Sequence, residues 1–261
     1  MKRILWIFLS SIILLNAQAV RIEIKSDKDG IIYLGGELSN IRGMLETYAQ
    51  IVDHISYKHP KEKLHKSLDQ LDTLLSQLDV TYDSDSVIRE HTKKARDFWA
   101  PVKKILLGAF DGSVDTNTLR SKTITIHNNI RNTIKSISAM KAHIIQTSKI
   151  KHSAEINAAL EIGASARRMS AHYMMRLLNI DDPTIEAHYK NGLKIYEESL
   201  VILHASTFAK DPVCAKSLTL FERKLLYFKQ IWEMEVMTPA LVIKRGNTVF
   251  EKATELARYI K

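Results

Sequence analysis

The chain has 261 residues, with 38 basic and 29 acidic side chains, ten histidines, one cysteine and a net charge of +9. A single cysteine excludes an internal disulfide framework, a CxxC redox motif and a CxxCH haem motif. The sequence also contains no HExxH, GxSxG or P-loop pattern, so it offers no support for a zinc protease, an α/β-hydrolase or a nucleotide-binding protein.

Residues 1–19 have the features of an export signal. Lys2 and Arg3 precede an apolar run from Ile4 to Leu15, and Ala17-Gln18-Ala19 fits a small-x-small cleavage site. The apolar run is shorter than the roughly 20 residues that span a membrane. We therefore predict a signal peptide and a periplasmic protein with no later membrane span. A secreted protein is the alternative, and cleavage of the signal and its retention as an anchor both stay open.

The charge of the exported part bears on its partners. Without the signal, 36 basic and 29 acidic residues leave a net charge of +7. A mild positive charge suits small anions or anionic surfaces. A periplasmic location makes nucleic acid an unexpected partner, and no motif calls for a cofactor or a metal.

The mature chain begins with a predicted extended N-terminal arm over residues 20–30, in which apolar and charged residues alternate. Apolar residues then recur at three- and four-residue steps, which is typical of helices. This periodicity predicts helices over about 31–57, 61–80, 87–107, 119–180, 184–205, 212–236 and 240–260.

The stretch from Leu119 to Ile180 is the longest of these predicted helices. It has no proline and a single glycine, Gly163, so no residue in it signals a break. We predict one continuous helix that belongs to two bundles. The predicted fold class is all-α, with two tandem four-helix up-down bundles, residues 31–148 and 149–261, that share this long central helix.

The two predicted bundles also resemble each other in sequence. Arg42-Gly43-Met44, followed by Tyr48, aligns with Arg167-Arg168-Met169, followed by Tyr173, at a constant offset of 125 residues. We interpret the match as an internal duplication. Because glycine occupies the Arg168 position in the first copy, we expect that copy to be less able to hold an anion and its matching face to be structural.

The second copy carries the candidate binding residues. Arg168 and His172 are four residues apart and share a helix face, with Ser165 and Met169 beside them. The planar guanidinium fork binds small oxyanions bidentately. Arg167 lies about 100° around the helix from its neighbour, so only one of the two arginines needs to face inward. A solvated arginine pair beside a packing seam is the alternative.

The segment Ala164-Ser165-Ala166-Arg167-Arg168-Met169-Ser170-Ala171-His172-Tyr173 resembles the signature box of the type IV pili methyl-accepting chemotaxis transducer N-terminal (PilJ-type) domain. It is also similar to the related periplasmic nitrate/nitrite sensor domain. This chain departs from the box at three positions: the family's glycine is Ser165, its later serine is Ala171 and its trailing basic residue is Tyr173.

The resemblance implies two PilJ-type helical bundles and a non-catalytic sensor. It implies that Arg168 binds a small anion such as nitrate or nitrite at a helix interface, and that occupancy is passed to an envelope signalling protein. Because family members bind the anion between two subunits, a homodimer is a further expectation.

A second hypothesis is a helical interaction or scaffold protein of an envelope or pilus-associated complex, with no small ligand. It predicts that Arg168 is fully exposed and has no groove beside it. The sensor hypothesis predicts that the same side chain lies in a buried or subunit-facing groove.

Overall fold

The computed structural model describes residues 22–180, 182–234 and 238–261, and the predicted signal peptide lies outside these ranges. The described residues form eight α-helices and one 3₁₀-helix, Thr207–Lys210, with no strand, so the all-α prediction is confirmed. None of these helices is both long and apolar enough to cross a membrane. In chain order the α-helices are α1 Asp27–Val52, α2 Pro60–Thr81, α3 Ser86–Asp111, α4 Thr116–Thr147, α5 Ser153–Leu177, α6 Thr184–Ala205, α7 Pro212–Ile231 and α8 Pro239–Tyr259.

The N-terminal arm predicted over residues 20–30 is wrong at its C-terminal end, because α1 already begins at Asp27. The oxygen Ser26 Oγ accepts a hydrogen bond from the Asp29 amide at 3.2 Å, and Asp29 Oδ2 accepts one from the Lys25 amide at 3.2 Å. These two hydrogen bonds satisfy backbone amides that have no partner within the helix. The cap therefore lets the helix begin before the point at which its apolar periodicity starts.

The continuous helix predicted over residues 119–180 is also wrong. The helix α4 ends at Thr147 and α5 begins at Ser153. Between them Ser148 is extended, and His152 has a left-handed backbone with φ of 58°. The chain therefore turns back on itself where a single rod was expected.

Side-chain pairs show that α4 and α5 run antiparallel after this turn. Lys141 of α4 forms an ion pair with Glu161 of α5, and His127 Nε2 lies 3.4 Å from His172 Nε2. The turn contains no proline or glycine, the residues that usually mark a break between helices in a sequence. Tertiary packing accounts for it, because reversing the chain lets α5 bury its apolar face against α1, α6 and α8, and packing outweighs local propensity.

Helix contacts follow a simple order. Helix α1 packs on α2, α2 on α3, α3 on α4, and α4 packs back on α1. Helices α5, α6, α7 and α8 are neighbours in the same order, with α8 packed back on α5. The main contact between these two sets is made by α1 against α5. The helices α1 and α5 thus lie at the centre of the molecule.

The α1–α5 contact is parallel and close. A Cβ built on Gly35 would lie 2.8 Å from Leu160, and one built on Gly43 would lie 3.3 Å from the guanidinium carbon of Arg167. Facing residues are therefore about 125 positions apart in the sequence, which is the offset of the sequence repeat.

Adjacent glycines give a direct test of this close approach. Gly35→Ala is expected to lower the free energy of unfolding, because overpacking costs about 1–3 kcal/mol and outweighs the helix propensity gained. Gly36 has no atom within 4 Å of a built Cβ. Gly36→Ala should therefore raise stability by roughly 0.5–1 kcal/mol. Urea unfolding of both variants checks the pair, and equal effects would contradict the packing described.

Candidate functional site

A cavity of about 180 Å³ lies where α1, α4, α5 and α6 meet. Basic and aromatic side chains form one part of its lining, and apolar side chains form another. The lining residues are Arg42 and Leu45 of α1, His127, Ile130, Arg131, Ile134 and Lys135 of α4, Arg168, Ala171 and His172 of α5, and His188 and Asn191 of α6.

Four basic side chains line this cavity: Arg42, Arg131, Lys135 and Arg168. Within the described part of the chain, none of them forms an ion pair with a carboxylate. Burial, together with the Arg168 guanidinium, lowers the pKa of Arg42 to about 9, which leaves the side chain positively charged at neutral pH. Burial also lowers the pKa of Arg168. The cavity is therefore strongly cationic.

One carboxylate reduces this charge in part. The carboxylate of Glu161 acts electrostatically on both Arg42 and Arg168, but its Oε1 accepts a hydrogen bond from Lys141. The pKa of Glu161 is lowered: burial opposes the shift, and Lys141 with Arg42 outweighs it. A single carboxylate shared in this way leaves the positive charge of the cavity in excess.

Three nitrogen atoms of the lining residues are buried without a hydrogen-bond partner among the described residues: His127 Nδ1, Arg168 Nη1 and His188 Nε2. Buried polar atoms of folded proteins are nearly always satisfied, and an exception calls for an explanation. A guanidinium nitrogen can only donate. Arg168 Nη1 is therefore a donor without an acceptor among the described residues.

Three imidazoles, of His127, His172 and His188, stand together at one side of the cavity, with ring centroids 5.2–5.8 Å apart. The nitrogen His172 Nδ1 donates to the carbonyl oxygen of Arg168 at 2.7 Å, since a carbonyl only accepts. Its Nε2 is then the acceptor for His127 Nε2 at 3.4 Å. This pair holds His172 in one orientation beside Arg168.

Burial keeps these histidines uncharged. It lowers the pKa of His127 to about 4 and that of His172 to about 3, and it also lowers the pKa of His188. Asp182 Oδ2 lies 3.5 Å from His127 Nδ1 and opposes part of the shift. No group of three or more His, Cys, Asp or Glu side chains in the described ranges is placed to hold a metal ion.

Of the five residues predicted from the sequence, Arg168 and His172 line the cavity. Arg167 does not; its Nη1 donates to Glu46 Oε1 at 3.0 Å, on the side of α5 that faces α1. Both arginines therefore point into the molecule, Arg167 towards α1 and Arg168 into the cavity.

The other two predicted residues are buried outside the cavity lining. Met169 packs against Gly192 of α6, where a built Cβ would lie 3.0 Å from its Cγ. Ser165 is buried, and its Oγ has no hydrogen-bond partner in the part of the chain that the structure describes. Both therefore belong to helix packing.

Most of the lining could not be identified from the sequence, and one lining residue was wrongly left out. The face around Arg42 was expected to be structural, yet Arg42 lines the same cavity as Arg168. The offset of 125 was the signal for this, because parallel helices paired at repeat positions bring Arg42 beside Arg167 and Arg168. His127 and Arg131 are four residues apart on α4, and their shared face was the signal for that wall.

A second ionic group lies across the α1–α5 contact, with α2. The carboxylate of Glu46 is fully buried, and its Oε1 accepts from Arg167 Nη1 at 3.0 Å and from Lys63 Nζ at 3.3 Å. Gly43 lies directly against the Arg167 guanidinium. Here two cations surround a carboxylate that the chain itself supplies.

Comparison with known proteins found no match: no family model, no curated protein and no solved structure matches the chain.

Proposed function

We propose that this chain is a non-catalytic binding protein for a small anion, which Arg42 and Arg168 hold in the cavity between α1, α4, α5 and α6. The observation that carries the proposal is the set of four basic side chains around a small cavity without carboxylate partners in the described residues. The buried, unpartnered Arg168 Nη1 supplies a donor for the anion. A half-buried Arg168 in a cavity favours this function over a scaffold protein with an exposed, vestigial arginine.

We further propose that the fold is a duplicated four-helix unit, with α1–α4 as one bundle and α5–α8 as the other. Matched tyrosines support it. Tyr48 Oη donates to the carbonyl of Leu119 near the start of α4. Tyr173 Oη accepts from the amide of Thr238 just before α8. In each unit, a tyrosine of the first helix forms a hydrogen bond with the backbone near the start of the fourth helix.

The caps of the third helices support the same duplication. Asp85 caps α3 and bonds His143 Nε2 of α4 at 2.8 Å, and Asp211 caps α7 and bonds Tyr259 Oη of α8 at 2.9 Å. The same residue type performs the same two tasks at matching points in both units. In this arrangement the binding cavity lies at the contact between the two units.

The resemblance to PilJ-type and nitrate/nitrite sensor domains is consistent with this arrangement. In that family the anion lies between two subunits. In this chain the two arginines come from two units of one polypeptide, so the site needs no homodimer. We propose a periplasmic sensor of this type that responds to a small anion and acts on an envelope signalling protein through helix shifts.

Arg168→Ala tests the proposal. The chain without residues 1–19 is heated with sodium nitrate, nitrite, acetate, sulfate or chloride at constant ionic strength. An anion at 100 times its Kd is expected to stabilise the wild type by about 2.7 kcal/mol. The variant should lose this response, since it removes the donor Arg168 Nη1.

The exposed Arg89 of α3 provides the matched control, because Arg89→Ala removes the same charge away from the cavity. It should keep the full anion response. A wild type that no anion stabilises at millimolar concentration would overturn the proposal, and so would a response that survives in the Arg168→Ala variant.

A further inference from the structure

We infer that the anion is a short-chain monocarboxylate of about acetate size, and that Glu46 is its internal counterpart in the other half of the molecule. The inference rests on the proposed function and narrows its ligand class. It is carried by a comparison of the two ionic groups that flank the α1–α5 contact.

The two groups are built from residues at corresponding positions. At the offset of 125 residues, Arg42 of the cavity corresponds to Arg167, and His188 corresponds to Lys63. Arg42 and His188 line the cavity, while Arg167 and Lys63 both bind Glu46. Each group thus contains one arginine from a central helix, α1 or α5. It also contains one nitrogen base from the second helix of a unit, α2 or α6.

The groups differ in the residue between the arginine and this nitrogen base. The position that corresponds to Glu46 is Ala171, which is buried and lines the cavity. The side chain of glutamate exceeds that of alanine by a CH₂–COO⁻ group, which is the composition of acetate without one hydrogen. One half of the molecule therefore supplies its own carboxylate to the arginine, and the other half has a cavity at that position.

The rest of the lining favours a carboxylate over an inorganic oxyanion. Leu45, Ile130 and Ile134 form an apolar part of the wall. A nitrate or sulfate ion has no apolar portion to place there, and its oxygens would lose hydration against these side chains. A carboxylate directs its oxygens to the arginines and its alkyl group to the apolar wall.

The residue difference sets the size of the ligand. A glutamate at position 171 would add only a CH₂–COO⁻ group to the alanine present, so the proposed ligand has about the size of acetate.

The first test compares anions on the wild-type chain by titration calorimetry. Sodium formate, acetate, nitrate and sulfate are titrated at constant ionic strength. Acetate should bind about threefold or more tightly than formate, the factor expected for one buried methyl group, and about tenfold or more tightly than nitrate. Nitrate or sulfate binding as tightly as acetate would overturn the carboxylate inference and leave anion binding intact. Binding of none of the four would overturn both.

The second test builds the internal carboxylate into the cavity. Ala171→Glu should fold, melt at a higher temperature than its isosteric control Ala171→Gln and show no response to acetate. The two variants have the same volume, so their difference reports the charge alone. A melting temperature of Ala171→Glu at or below that of Ala171→Gln would overturn the correspondence with Glu46. If neither variant folds, the result also counts against it, because a glutamate side chain fills this position in the other half.

Discussion

Glu46→Ala is expected to lower the free energy of unfolding by about 3–5 kcal/mol, the effect of leaving a buried charge without its partner. The carboxylate of Glu46 is fully buried, and Arg167 is 6% exposed. Without the carboxylate, the Arg167 guanidinium keeps its charge in a position that water hardly reaches. The loss of the carboxylate destabilises the Lys63 ammonium less, because this side chain is 30% exposed and can turn to solvent. Urea unfolding monitored by circular dichroism measures the change.

Removing both charges provides the control. The double variant Glu46→Leu with Arg167→Met leaves no buried guanidinium unpaired and keeps most of the side-chain volume. Replacing a buried pair with apolar residues is often neutral. The double variant should therefore be more stable than Glu46→Ala. If Glu46→Ala costs less than about 1 kcal/mol, the range of an exposed pair, Arg167 has reached solvent and the buried ion pair is not as described.

Glu37→Gln should have the next largest effect, and the size of that effect depends on pH. Glu37 is buried on α1, where it accepts a hydrogen bond from Asn40 Nδ2 at 3.3 Å. Burial raises its pKa from 4.5 to about 7, and the nearby Asp72 carboxylate adds to the shift. The folded protein therefore holds this proton more tightly than the unfolded chain does. The stability that the protonated form contributes is fully present below about pH 4.5 and is lost as the pH rises through about 7.

The size of the effect follows from the shift. Each pKa unit corresponds to about 1.36 kcal/mol, so ionisation of Glu37 costs roughly 3 kcal/mol at alkaline pH. Glu37→Gln removes this cost and should be more stable than the wild type by up to about that amount above pH 8, with little difference near pH 4. Glu251→Gln, at an exposed position on α8, is the control and should change stability little at either pH. An equal difference between Glu37→Gln and wild type at both pH values would contradict the raised pKa.

The helices could be predicted from the sequence because their apolar periodicity and caps are local. The pattern Leu64, Leu68, Leu71 and Leu75 needs no partner to identify α2 as an amphipathic helix, and all four side chains are buried. The break between α4 and α5 could not be predicted in this way. Residues 148–152 contain neither proline nor glycine, and the reversal depends on the surface of α1, which is remote in the sequence.

The candidate site likewise contains residues that local sequence could predict and residues that it could not. Arg168 and His172 are one turn apart on one helix, so helix periodicity alone placed them together. Arg42 and His188 reach the cavity through tertiary contacts of α1 and α6 with α5. The spacing between residues on separate helices is not encoded in any short stretch of sequence, and only the repeat offset gave an indirect indication for Arg42.

The parallel contact of α1 with α5 has a consequence for how such a site can change. In a dimer of identical chains every substitution occurs twice, once on each side of the two-fold axis. A glutamate that neutralised one arginine would then neutralise its partner as well. Here the facing helices are encoded separately, so Glu46 can occupy one side while alanine remains at position 171 on the other. One polypeptide can in this way place a carboxylate beside one arginine and an alanine at the related position beside the other.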